Sequence, residues 1–288
     1  MNKKTVTLIV IILGAIMALL SDFMPKEKNI APVLNEALKV SFIDVGQGDS
    51  TLLELPNGEI MLIDAGNPED GEKIVNIISK KGYKKVDYLI ATHPHSDHIG
   101  GMAKVVKAFE IGKVYMPKKS HNISSFEKLV DAISEKNLKI TEAKAGVAII
   151  DEENLKISVL SPQNSDYDNL NNFSAVVKVD YGETSFVFTG DAEKEVEYEL
   201  LDSGSDLKAD VLKIGHHGSS TSSAYSFIKA VNPKYGVISC GEGNDYGHPH
   251  TEVKDLLKKN SIELLRTDEL GTIVITSDGI NLSIEKSE

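Results

Sequence analysis

The chain has one cysteine, Cys240, in 288 residues, so no disulfide can form within it. That is compatible with the cytoplasm and equally with a bacterial cell surface. Arginine is nearly missing: Arg266 is the only one. Formal net charge is −12, from 43 acidic and 31 basic residues, which argues against a broadly basic face for nucleic acid. Metal ions or a local patch can still hold phosphates on such a chain. No repeat period and no low-complexity tract occurs. Apolar residues make up 41% and charged ones 26%, ordinary usage for one large globular domain or two small ones.

Long apolar runs are absent except at the start. Lys3 and Lys4 precede an uncharged stretch over residues 5–20, followed by Ser21 and Asp22. This is an n-region followed by an h-region, short for a full span unless Phe23 and Met24 extend it. No cysteine follows, which excludes a lipoprotein anchor. No small-x-small cleavage site stands after the run, which favours an uncleaved signal anchor over a cleaved signal peptide. Residues 1–24 are therefore expected to anchor the chain in, or route it across, a membrane through residues 5–24. The catalytic part would lie outside the cytoplasm, membrane-anchored or secreted. Residues 25–37 read as a polar linker and 38–288 as the folded domain.

Within that domain the densest chemistry is His93-Pro94-His95-Ser96-Asp97-His98. The apolar run Val86–Ile90 before it reads as a buried strand, and residues 99–109 carry apolar groups at helical spacing. Three imidazoles and a carboxylate within six residues repel or hydrate one another unless they share a cation. His93 and His95, two apart on extended chain, point to one side and can grip one ion, while Asp97 and His98 reach a second. Nitrogen and carboxylate ligands suit zinc first, then manganese or iron.

The remaining clusters follow the same logic. Residues 38–45, 50–55 and 60–63 read as strands, the last two joined by a Pro-Asn-Gly-Glu hairpin turn. Gly46-Gln47-Gly48-Asp49-Ser50 is either a backbone cradle for an anion or a plain tight turn. Asp64, at a strand end, either orients a metal-bound histidine or caps a turn, and the company of the His93–His98 cluster favours the former. Strands over 185–188, 211–214 and 237–239 run into Thr189-Gly190-Asp191, into Gly215-His216-His217-Gly218-Ser219, and into Tyr246-Gly247-His248-Pro249-His250. Each polar cluster follows an apolar strand, so the strand ends are expected to converge on one rim. His121 stands alone and reads as a surface residue, as does Arg266.

The order strand, HPHSDH, helix, then TGD and GHHGS resembles the metallo-β-lactamase-fold hydrolases. More narrowly, FIDVGQGDS, LIDAG, THPHSDHIGG, NNFS, FTGDA, LKIGHHGS and YGHPH are similar to the hydrolase domain of the bacterial DNA-uptake channel ComEC and its stand-alone relatives. The resemblance runs from about Val40 to Ile275. It implies an α/β fold, a four-layer α/β/β/α metallo-β-lactamase sandwich with the N-terminal anchor or signal segment ahead of it. It also implies two divalent metal ions, zinc before manganese. His93 and His95 would bind one, Asp97 and His98 the other, and Asp191 both. His217 would complete the set with His216 beside it on the substrate, although the two neighbours could exchange roles. Where many superfamily members carry another ligand histidine, this chain has Asn171-Asn172-Phe173-Ser174.

The reaction implied is hydrolysis by water activated between two metals, with Asp97, His216 and His248 as catalytic residues and DNA or another phosphodiester as substrate. Fold relatives that cleave phosphocholine from wall polymers, or acyl, lactone and β-lactam bonds, keep those alternatives open. Neither a choline-binding repeat nor a basic tail is present to decide between them.

Overall fold

A computed structural model of the chain describes residues 37–286. The expected anchor over residues 1–24 lies outside the described residues, as does nearly all of the 25–37 linker. No helix among the described residues is long and apolar enough to cross a membrane.

Strand periodicity builds two sheets. In β1 (Leu38–Phe42) the residues Leu38, Val40 and Phe42 point into one core. In β3 (Ile60–Ile63) Met61 and Ile63 enter that core, while Ile60 and Leu62 turn to the opposite face. In β10 (Thr184–Phe188) Phe186 and Phe188 face the shared core and Val187 faces away. Alternation with both faces apolar requires something packed on each side of a sheet. The first sheet has eight strands and the second seven. They meet through the central core, where the Phe42 and Phe188 rings lie 5.9 Å apart.

Helices cover the outer faces. Helices α1 (Gly71–Lys80), α3 (Met102–Ala108) and α4 (Ser124–Glu135) pack on the first sheet. Helices α5 (Lys194–Asp202), α6 (Tyr225–Val231) and α7 (Thr251–Lys259) pack on the second. The result is the expected α/β/β/α layering. In the first sheet β3, β4 (Lys85–Ile90) and β5 (Glu110–Met116) run parallel. In the second, β10, β11 (Val211–Lys213) and β12 (Tyr235–Ile238) do so. Parallel strands joined by crossover helices put their carboxyl ends on one edge, where such sheets bind ligands.

Three details differ from the sequence reading. The metal-loop motif is not all loop: Ser96–Ile99 forms a short helix, α2, so Asp97 and His98 sit on its first turn. Strand β7 (Val147–Asp151) was not anticipated; its pairing register with β8 (Leu155–Ser161) shifts between Ala148 and Ile150, which breaks the alternation. Helix α6, seven residues long, was also missed. Elements this short give too few periods to read.

Candidate metal centre

The centre is built on Asp64, at the end of β3. Its backbone is left-handed (φ 57°), a conformation that costs a non-glycine residue roughly 1 kcal/mol or more. The carboxylate accepts the Thr92 N–H at 2.9 Å and the Thr92 hydroxyl at 2.6 Å. It also lies 2.8 Å from His98 Nδ1. That contact fixes the fully buried His98 ring with Nε2 turned to the strand-end rim, the orienting role expected for Asp64.

Around that nitrogen the sequence clusters converge. His98 Nε2 is 3.2 Å from Asp191 Oδ1 and 3.9 Å from Asp97 Oδ2. His217 Nε2 is 3.3 Å from Asp97 Oδ2 and 3.5 Å from Asp191 Oδ2. These four residues offer ligand atoms all within 4.8 Å of one another. His93 Nε2 stands 3.8 Å from Asp191 Oδ2, the oxygen that His217 also approaches, and 2.9 Å from His95 Nδ1, with its ring 4.2 Å from that of His98. Asp191 thus has His98 Nε2 near one carboxylate oxygen and His93 and His217 Nε2 near the other.

His216 and His217 diverge because both adopt left-handed backbone, φ 50° and 53°. His217 turns inward, with only 2% of its side chain exposed, and Nδ1 is held 2.9 Å from Ser239 O. His216 stays at the cleft mouth, where Nδ1 meets Thr221 Oγ1 at 3.0 Å and Glu193 Oε1 at 3.3 Å. Of the two neighbours, it is His217 that joins the four-residue group. His248 lies beside them, its ring centroid 5.6 Å from that of His216.

The donor set fits a divalent cation. His98 Nε2, Asp191 Oδ1 and His217 Nε2 are buried without any hydrogen-bond partner, which native interiors rarely tolerate. Imidazole nitrogens and carboxylates aimed at one point are the ligands of zinc, manganese or iron sites. With protons as the only cations, the group becomes a knot of ion pairs. Burial opposes charge on His98 and His217, yet Asp191 with Asp97 or Asp49 raises both well above the ordinary histidine value. Burial, then the neighbouring His98, holds His93 well below it.

The stretch Asn171–Ser174 supplies no imidazole. Ser174 Oγ accepts the Asp191 N–H at 3.0 Å and lies 3.3 Å from His93 Nδ1, bracing both residues. Asn172 Oδ1 accepts the Glu193 N–H at 3.1 Å.

Several residues escaped the sequence reading. His121 is not a free surface group: its Nδ1 lies 3.0 Å from Pro94 O and its ring 5.7 Å from that of His95. In the Gly46–Ser50 turn the Asp49 N–H donates to Asp97 O at 3.0 Å, tying the turn to the metal loop. A Cβ on Gly48 would come within 2.5 Å of the same oxygen. Arg266 is tied to Asp268 and Glu269, each at 2.5 Å. Signals for His121 were absent from its neighbours, whereas the acid of the GQGDS turn was a visible candidate.

A sandwich of this layering, with such a ligand cluster at its strand ends, is that of a metal-dependent hydrolase. Residues 43–242 match the metallo-beta-lactamase superfamily, and the chain belongs to it. It is 38% identical over 262 residues to ComE operon protein 3 of Bacillus subtilis, covering 85% of this chain and 34% of that protein. It is 32% identical over 261 residues to competence protein ComA of Neisseria gonorrhoeae, covering 88% and 34%. The chain spans about a third of the length of these relatives. In fold alone it is similar to CmlA, a diiron β-hydroxylase from Streptomyces venezuelae, with TM-score 0.53 and 16% identity over 80% of this chain and 52% of that one.

Proposed function

We propose that this chain is a phosphodiesterase that hydrolyses DNA. The observation that carries the reading is one buried carboxylate, Asp191, with His98 Nε2 near one oxygen and His93 and His217 Nε2 near the other. In this reading Asp97, His98, His217 and Asp191 would hold a divalent cation, and His93 and His95, with Asp191, would hold a second. Zinc or manganese bound there supplies Lewis-acid polarisation of the phosphoryl group and a water of lowered pKa. The DNA assignment is supported by the relatives' names, which refer to competence and recombination.

The chain's own groups then divide the work. Asp97, with 32% of its side chain exposed, reaches the cleft and accepts a hydrogen bond from the attacking water, aligning it with the phosphorus. His216 presents Nε2 to the cleft because Thr221 and Glu193 hold Nδ1. From there, beside Asn171 and Asp191, it stabilises charge developing on a phosphoryl oxygen. Burial pushes His248 down to about 4, so it is neutral at pH 7 and donates one N–H to a phosphoryl oxygen.

The test is metal-dependent cleavage of single- and double-stranded DNA by the chain stripped and reloaded with zinc or manganese, beside Asp97→Ala. Cleavage that disappears in the variant is expected. Intact DNA at full metal occupancy overturns the nuclease reading and points instead to wall-polymer phosphoesters or acyl substrates.

A further inference from the structure

The cleft over the metal centre has a volume of about 380 Å³, and no lysine or arginine among the described residues lines it. Apart from any bound metal, the basic side chains that neutralise phosphates along duplex DNA are therefore missing from its walls. On a chain of net charge −12, a nucleic-acid strand needs some other attraction to stay there.

Tyr246 offers one. Its exposure is 68%, the highest of the exposed large hydrophobics, and it alone among them lines the cleft. Its hydroxyl has no hydrogen-bond partner among the described residues. The backbone, by contrast, is clamped. Asn244 Nδ2 donates to Gly241 O at 2.9 Å and to His248 O at 2.6 Å. The His248 N–H returns to Asn244 Oδ1 at 3.0 Å, and His250 Nε2 lies 3.3 Å from Tyr246 O. The turn therefore holds the exposed ring in one place at the cleft mouth.

The ring also has a direction. It lies over His248 with centroids 5.6 Å apart and planes 23° from parallel. His248 in turn lies over His217 at 6.3 Å and 26°. A ladder of near-parallel rings therefore leads from solvent to the metal centre, with the outer face of Tyr246 as its open end.

The geometry points to Tyr246 as a stacking platform for an unpaired nucleobase beside the scissile phosphate, so that the cleft takes single-stranded or frayed DNA in preference to duplex. This rests on the phosphodiesterase reading for its substrate, and on the ring ladder for its selectivity. A base inside a duplex is already stacked on its neighbours and cannot also cover Tyr246. A free base can, and every base has a face that does so.

The experiment measures binding and turnover separately. Binding is read by fluorescence anisotropy on a cleavage-resistant phosphorothioate oligothymidylate, on an abasic phosphorothioate chain of the same length, and on a duplex. Tyr246→Ala is expected to weaken oligothymidylate binding about ten-fold, with Tyr246→Phe within about two-fold of the native protein. The abasic chain should bind both forms alike, and in turnover of ordinary oligothymidylate KM should rise while kcat holds. An unchanged affinity in Tyr246→Ala, an equal loss on the abasic chain, or duplex bound as tightly as single strand overturns the platform. So does failure of the native protein to bind oligothymidylate. Cleavage without Tyr246 dependence leaves hydrolysis standing and removes the platform. Base-dependent binding through Tyr246 with no cleavage does the reverse.

Discussion

Lys213 Nζ lies 2.6 Å from Asp49 Oδ2, with 3% and 7% of the two side chains exposed. The pair joins the strand that carries the His216-His217 turn to the glycine turn after β1, directly behind the metal centre. Asp49 Oδ1 is also 3.4 Å from His217 Nδ1. Burial opposes ionisation of Asp49, but Lys213 and then His217 hold its carboxyl well below the usual range. Lys213→Met should leave that buried charge without its main partner and cost about 3–5 kcal/mol, while Lys213→Met with Asp49→Leu recovers most of it. Urea midpoints of the two variants measure this. Equal losses in both would mean that the pair serves packing alone.

Metal uptake should expel protons. His98 and His217 are raised well above the ordinary value by the carboxylates around them, and a protonated nitrogen cannot ligate. Affinity for zinc should therefore keep climbing with pH beyond the ordinary histidine value of about 6.5 and already be weakened by proton competition there. Calorimetric titration at pH 7 in buffers of different ionisation enthalpy reads the protons released per metal. Heats independent of the buffer would contradict the assignment of these nitrogens as ligands.

Close packing at Gly101 should make it intolerant of a side chain. A Cβ there would meet Ala65 O and stand 2.8 Å from Gly71 Cα. Both are backbone atoms that cannot swing aside. Gly101→Ala is expected to cost about 1–3 kcal/mol and, because α2 precedes it directly, to weaken metal binding. Thermal melting with and without zinc would show both effects. A melting temperature equal to that of the native protein would mean that α1 and α3 separate freely.

Glu197 should give the fold a pH dependence of its own. Its two carboxylate oxygens accept the Ser223 and Ala224 N–H groups, each at 2.6 Å, ahead of α6. Burial nevertheless pushes its carboxyl from 4.5 up to about 7. The folded state then binds the proton more tightly than the unfolded chain, so this contribution is present below about pH 4.5 and fades as pH rises to 7. Glu197→Gln should flatten that part of the stability curve between pH 5 and 7. Parallel curves for variant and native protein would refute it.

What the sequence determined by itself is the local chemistry and its order along the chain. The His93–His98 motif is legible because its ligands fall within six residues, and Asp64, Asp191 and His217 because each follows an apolar strand whose period is plain. Parallel strands then bring those ends to one edge, so the convergence was predictable. Tertiary structure alone decided the rest. His217 rather than His216 turns inward because both residues take left-handed backbone, which no residue pattern announces. Asp49 meets Lys213 across two sheets, and His121 reaches His95 from a separate loop. Tyr246 stands open at the cleft mouth because Asn244 closes the turn around it. Contacts between distant segments depend on register and packing that a linear pattern does not carry, and they are what make the motif a site.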